Sequence, residues 1–206
     1  MSVAVFGLSG DMPHFGHSDV VTFLAEKFDT VLVVPCGTRP DKPRLSPGSQ
    51  RLKLVECMIE DIPHELRDKI ILDSHEVNGP ALHSFDLMEE IKGCCQFENI
   101  YFSVGADLVQ PRADFNGGCQ ITEKWYKGKQ LYDQNKFVVV PRIGYTHPDE
   151  FGLSKDKFII LEQTPREGAS NHIRNLILSQ QKWDHLVPPS VAECIISNRW
   201  YGYQEK

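Results

Sequence analysis

The sequence has no Cys-x-x-Cys pair, no unbroken apolar run of about 18 residues and no excess of basic charge. Each absence removes a class of function. The six cysteines, Cys36, Cys57, Cys94, Cys95, Cys119 and Cys194, are spread without the spacing that ligates structural zinc. The neighbours Cys94 and Cys95 invite a redox reading, but reduced thiols in a cytosolic protein are the simpler expectation. Without a long apolar stretch no membrane span is expected. The chain opens on the apolar run Val3-Ala4-Val5-Phe6 with no basic stretch before it, so no signal peptide is expected and the cytoplasm is the expected location. The formal charge of -6 argues against nonspecific nucleic-acid binding, which needs cations to neutralise phosphates. A small anionic substrate asks only for a local positive pocket. No internal repeat, low-complexity tract or long linker divides the chain, so 1–206 reads as one domain with a small helical portion at its C-terminal end.

What the sequence has is alternation. Val3–Phe6, Thr30–Val34, Ile70–Leu72, Ile100–Val104, Phe137–Val140 and Phe158–Leu161 read as short strands. Several are apolar at nearly every position, as strands covered on both faces are. Between and after them, His17–Lys27, Ser49–Glu60, Ser84–Lys92, Lys124–Tyr132, Ser170–Ser179 and Val191–Asn198 read as helices. This order predicts an α/β fold, a Rossmann-like parallel sheet with helices on both faces. Ligands of such sheets gather beyond the carboxyl ends of the strands. The loops after Gly7, Val34, Gly105 and Leu161 are therefore the places to search.

Between the first strand and the first helix stands Gly7-Leu8-Ser9-Gly10-Asp11-Met12-Pro13-His14-Phe15-Gly16-His17. It is neither a dinucleotide fingerprint nor a P-loop. Its core is His14-x-Gly16-His17. Two imidazoles three residues apart at a helix start can face one point. Gly16 lets a phosphate approach the backbone, and the helix N-terminus adds free N–H groups and partial positive charge. A second segment, Gly168-Ala169-Ser170-Asn171-His172-Ile173-Arg174, follows the last strand. Ser170 reads as the N-cap, with Asn171 able to share that work, and Arg174 brings a guanidinium to the same end. A plain capped helix with a surface arginine would show the same pattern.

Both segments resemble the nucleotidyltransferases that carry an HxGH motif, and more closely the nicotinate/nicotinamide mononucleotide adenylyltransferases. Gly7, Asp11, His14, Gly16 and His17 match the first family motif at its spacing, with Ser9 in place of threonine. Ser170, Ile173 and Arg174 match the late motif, where Ala169 and Asn171 stand for serine and threonine. Gly105-Ala106-Asp107-Leu108 is similar to the family segment after the fourth strand. Trp125, then Phe137 to Arg142, and Leu186 through Tyr201 extend the resemblance over most of the chain. The stretch between Asp107 and Trp125 is longer than usual.

The resemblance implies in-line attack of a mononucleotide 5′-phosphate on the α-phosphate of ATP, with release of pyrophosphate. It casts His14, His17 and Arg174 as the catalytic groups. Gly7, Ser9, Gly16, Gly105, Asp107, Ser170 and Asn171 would bind ATP, Asp107 through the ribose hydroxyls. Lys42 and Arg44, from the basic loop Arg39–Arg44, would bind the mononucleotide together with Trp125 and Arg142, Trp125 by stacking on its ring; the loop could equally clamp the triphosphate, or be a plain solvated basic loop. Mg²⁺ is expected to ride on the phosphates with water ligands, without a protein cage of its own. Both imidazoles are expected to take a charge more readily beside phosphate. The expected partners are the two substrates, without nucleic acid or membrane, and a homo-oligomer is left open. Other transferases on the same plan (pantetheine-phosphate adenylyltransferase, cytidylyltransferase) and a nucleotide-binding homologue without catalysis are the alternatives. A class I aminoacyl-tRNA synthetase fragment is discounted, because the chain is short, acidic and lacks a KMSKS-like segment.

Overall fold

The computed structural model describes residues 1–94 and 97–204; Cys95, half of the expected vicinal thiol pair, lies outside them. In chain order the regular elements are β1 (Ser2–Leu8), α1 (Phe15–Lys27), β2 (Thr30–Pro35), α2 (Gly48–Glu60), α3 (His64–Arg67), β3 (Ile70–Leu72) and α4 (Ser84–Cys94). There follow β4 (Asn99–Gly105), α5 (Ala106–Val109), α6 (Gln120–Lys124), α7 (Gly128–Gln134), β5 (Lys136–Val140), β6 (Phe158–Ile160), α8 (Ser170–Leu178) and α9 (Pro189–Asn198). The six strands form one sheet in the order β3-β2-β1-β4-β5-β6. Every neighbouring pair is parallel.

Period-2 alternation divides the side chains of the central strands between two cores. Ala4, Val31, Val33 and Val138 face one, closed by Val21 of α1, Leu54 and Met58 of α2, Ile173 of α8 and Ile195 of α9. Val3, Val5, Leu32, Phe137 and Val139 face the other, closed by Met88 of α4, Ile121 of α6 and Leu131 of α7. Helices cover both faces, as the uninterrupted apolar strands required. The order reverses between β1 and β4, so their carboxyl ends diverge and open a crevice, the usual ligand position of such a sheet.

The expected helix over Lys124–Tyr132 does not form as one piece. α6 ends at Lys124, Trp125 leaves helical geometry, and Lys127 sits in the left-handed region at φ 48°. The cause is close packing of α7 on α6. A Cβ at Gly128 would fall on the carbonyl oxygen of Ile121, so the chain turns where glycine allows contact. α1 also begins two residues before the expected start, with His14 as its N-cap.

Arg51 is a charged side chain set among the apolar positions of α2, and it is 1% exposed. Its guanidinium donates to the carbonyl oxygens of Ser9 at 2.8 Å, Cys36 at 2.6 Å and Ser46 at 3.0 Å. One buried cation thus ties together the loops after β1 and β2. Arg51→Met should cost about 3 kcal/mol in urea-induced unfolding, since buried carbonyls lose their donors. Unchanged stability would show that water replaces the guanidinium freely.

Candidate active site

The carboxyl ends of β1, β2, β4 and β5 border a cleft of about 2050 Å³. That exceeds the few hundred to 1,000 Å³ usual for one small ligand, so two reactants fit together. His14, His17, Lys42, Arg44, Arg142 and Arg174 all line it, which gives an acidic protein the local positive pocket that the sequence required.

The first loop builds the anion-facing end. The His14 N–H donates to Nδ1 of His17 at 3.3 Å, which leaves the proton of the neutral His17 ring on Nε2. The two rings lie 3.8 Å apart. In the free protein both resist protonation. Burial first, and then the Arg142 charge, pulls His14 down to about 4, against a smaller opposing pull from Asp19. His17 is lowered well below the ordinary imidazole range, by burial and then by His14, Arg142 and Lys42. The expected charged imidazoles therefore need the phosphates to be present.

The pH dependence of stability follows from this. Between 6.5, the ordinary value, and about 4, unfolded His14 takes up a proton that the folded ring refuses. Stability of the free protein should therefore fall as pH drops through that window. The depressed Asp19 carboxyl acts below its ordinary 3.8, outside the window. Melting temperatures across pH 6.5 to 4 check this, and His14→Asn should flatten the slope.

The late turn lies directly on the first loop. The Ser170 hydroxyl donates to the Met12 carbonyl at 2.8 Å. Arg174 forms an ion pair with Asp11, Nη1 to Oδ2 at 3.3 Å, and also donates to the Asp11 carbonyl and to the Asn171 side chain. Ser170 is not the N-cap. Ala169 holds that position with extended backbone, and no side chain caps the helix, because the serine hydroxyl is used on Met12 and the Asn171 carbonyl on Arg174. A Cβ at Gly168 would penetrate the ring of His14, so glycine alone brings the turn this close. Gly168→Ala should displace the ring or the turn and weaken, by about tenfold or more, binding of the ATP that the resemblance implies, as calorimetry would show.

Asp11 is 4% exposed and is the hub of the loop. Besides Arg174, it accepts from the Ser46 N–H at 3.2 Å and from the Tyr201 hydroxyl at 2.8 Å. Burial first, then the Asp11 charge, raises the Tyr201 phenol, which therefore stays a donor. Asp11 entered the sequence reading only as a motif match, and Tyr201 only as the end of the resembling tail. Arg51 and Asp19 had no signal there at all.

Asp107 follows β4 at the switch point. Arg142 Nη1 lies 2.9 Å from its Oδ1, but off the hydrogen-bond axis, so this buried oxygen has no aligned donor. It is suited to receive a ligand hydroxyl. A Cβ at Gly105 would strike that same oxygen. Gly7, by contrast, has open space beside it and lines the cleft with Ser9 and Gly16. Lys42 donates to the Ser9 hydroxyl at 2.9 Å, which places it at the first loop, while Arg44 stays exposed on the wall. Trp125 is half-buried. It meets the edge of Phe102 with centroids 6.4 Å apart and lines the cleft beside a stacked His83–Tyr126 pair. Among the described residues, no three His, Cys, Asp or Glu side chains converge as a metal site, and no helix is long and apolar enough to cross a membrane.

A parallel sheet with paired imidazoles at one helix start, joined across its crevice to a late Ser/Arg turn, defines a nucleotidyltransferase. The chain belongs to the cytidylyltransferase-like family, whose model matches residues 6–175. It is 26% identical over 204 residues, covering 97% of both chains, to a protein of Bacillus pumilus named probable nicotinate-nucleotide adenylyltransferase. A Carboxydothermus hydrogenoformans protein of the same name is 24% identical over 209 residues, again with 97% of each covered. The fold matches that of Plasmodium falciparum nicotinic acid mononucleotide adenylyltransferase complexed with NaAD, at a TM-score of 0.81, 20% identity and 98% coverage of both chains.

Proposed function

We propose that the protein transfers the adenylyl group of ATP to nicotinate mononucleotide, forming the dinucleotide and releasing pyrophosphate, a step of NAD biosynthesis in the cytoplasm. The observation that carries this is the closure of the late turn onto the first loop, through Ser170 on Met12 and Arg174 on Asp11. It puts two imidazoles and a guanidinium on the rim of one cleft. The names of the curated relatives favour the nicotinate over the nicotinamide form.

In this reading no covalent enzyme intermediate is needed. The chain positions two phosphorylated reactants and stabilises charge on the departing pyrophosphate. His14 and His17 gain protons as the triphosphate approaches and donate to it. Arg174 and the N–H groups at the Ser170 helix start hold the outer phosphates, with Asn171 beside them. Gly7 and Ser9 give the triphosphate close access to the backbone, while Gly16, expected to do the same, instead admits the Arg166 carbonyl and the His14 ring; Lys42 reaches the triphosphate from Ser9. Asp107 takes the ATP ribose. Arg142, Arg44 and Trp125 face the mononucleotide, Trp125 with its ring plane. Mg²⁺ bound to the phosphates would add charge neutralisation. The carboxylate suited to a metal, Asp11, is already engaged by Arg174, Ser46 and Tyr201, so water and phosphate are its fitting ligands.

A pyrophosphate-release assay tests the reading. It crosses ATP or CTP with nicotinate mononucleotide, nicotinamide mononucleotide or phosphopantetheine. Turnover is expected with ATP and the two mononucleotides, nicotinate first. Turnover restricted to CTP or to phosphopantetheine would assign another transferase. ATP binding without any turnover would assign a non-catalytic homologue.

A further inference from the structure

We propose that Asp19 and Arg166 form a clasp that positions the triphosphate-binding end of the site. By holding the late turn against α1, the clasp fixes Gly168 on the His14 ring and so sets the distance between the imidazoles and Arg174. The proposal rests on the adenylyltransferase reading for its kinetics and on geometry for its existence.

The geometry is specific. Asp19 lies on α1 one turn beyond Phe15, and Arg166 lies on the turn between β6 and α8. Three hydrogen bonds join them: backbone N–H to Oδ2 at 2.8 Å, Nε to Oδ2 at 2.9 Å and Nη2 to Oδ1 at 2.6 Å. The guanidinium also lies 4.0 Å above the Phe15 ring. A carboxylate that accepts both a guanidinium fork and a backbone N–H fixes the direction of the chain as well as its distance. The Asp19 side chain is 15% exposed and Arg166 is 58% exposed. The arginine end is open to solvent, which limits what the pair adds to overall stability. Its location suggests a different use.

The residues on either side of the clasp touch the machinery. A Cβ on Gly16 would strike the Arg166 carbonyl oxygen, and a Cβ on Gly168 would enter the His14 ring. The turn and the His-x-Gly-His segment thus meet closely at two points, once backbone on backbone and once Gly168 on the His14 ring, with the clasp beside them. The Nδ1 atom of His14 is buried against this turn with no hydrogen-bond partner. Packing alone therefore orients the ring, and packing is what the clasp enforces. Asp19 is also the anion that opposes the burial and the Arg142 charge acting on His14. The other charged or titratable groups at the paired rings are His17 on the same helix, Arg142 after β5 and Lys42 from the loop after β2.

The test uses the full-length protein with Asp19→Asn, Arg166→Gln and the double substitution. Each is read for melting temperature, ATP affinity by calorimetry, KM for both substrates and the pH profile of kcat/KM. If the clasp acts as a unit, each single change weakens ATP binding and raises KM for ATP about tenfold. The double change is then no worse than either single one, and KM for the mononucleotide and the melting temperature hardly move. The pH profile separates the two partners. Asp19→Asn removes the anion near His14, so the alkaline limb of activity should move to lower pH. Arg166→Gln leaves that anion without its partner, so the limb should stay or move up. Arg166→Lys should recover part of the affinity. Additive losses, equal losses for both substrates, or no loss would overturn the clasp. Wild-type protein that binds ATP but transfers it to no acceptor would overturn the catalytic reading instead, and the calorimetric pattern would still decide the clasp.

Discussion

Under the proposed function, replacing His17 by alanine is expected to leave a folded protein that releases pyrophosphate from ATP and nicotinate mononucleotide about 10²–10³-fold more slowly than the natural sequence, the usual loss for one well-aimed donor. The size of the effect follows from how the ring is held. Nδ1 is occupied by the His14 N–H at 3.3 Å, so one ring nitrogen is left to donate, and α1 fixes its direction. Burial first, and then the neighbouring His14, Arg142 and Lys42, hold the free imidazole neutral, so the group is most effective when phosphate charge is at hand. The fold asks little of this ring. It is partly exposed on the cleft wall, and its removal costs a helix-start contact of about 1 kcal/mol. Steady-state rates and a melting curve on the same preparation separate the two effects. Near-normal turnover in His17→Ala would sink the assignment of this turn to the triphosphate.

Arg174→Ala is expected to be comparably severe, about 10²-fold or more in kcat/KM, but to act on two levels. The guanidinium faces the cleft, and it also balances the buried Asp11 carboxylate at 3.3 Å. Its loss takes away the proposed phosphate contact and leaves that carboxylate, among the described residues, with the Ser46 N–H and the Tyr201 hydroxyl. Arg174→Lys separates the levels. Lysine keeps the charge but not the planar fork, so the ion pair to Asp11 should survive and stability should return. Activity should recover only in part, since a point charge cannot hold phosphate oxygen and Asn171 together. Full activity in Arg174→Ala would show that the arginine serves the loop and not the substrate.

Much of this arrangement was legible in order along the chain. The strands Thr30–Val34 and Phe137–Val140 announced themselves because burial on both faces leaves no polar positions. His14-x-Gly16-His17 was legible because its parts are local: a glycine where the backbone is approached, and imidazoles at helical spacing. Asp107 was legible from its position after a strand, and Trp125 only through the family resemblance; both line the cleft. What stayed hidden depends on distance. Asp11 and Tyr201 are 190 positions apart, and nothing periodic connects them. Arg51 gives no signal in the sequence, because its three acceptors are backbone carbonyls that have no sequence signature. The helix over 124–132 was misread because the break comes from contact between α6 and α7 at Gly128, a packing event with only a single glycine as its local trace. The N-cap was assigned to Ser170 because serine favours that place; a bond to Met12, 158 positions away, drew the hydroxyl elsewhere.

The bond from Tyr201 to Asp11 also bears on how the molecule is made. The His-x-Gly-His segment is made well before Ser170, Arg174 and Tyr201, which follow the loop residues they bond by 158, 163 and 190 positions. The early loop waits through that interval for these three groups. A nascent chain can thus pair β1 with β2 and β4 as they emerge, yet the proposed nucleotide grip is unfinished until Tyr201 has emerged. Proteolytic clipping just ahead of Tyr201 would strip a mature molecule of one of these holds, leaving Ser170 on Met12, Arg174 on Asp11 and the sheet in place.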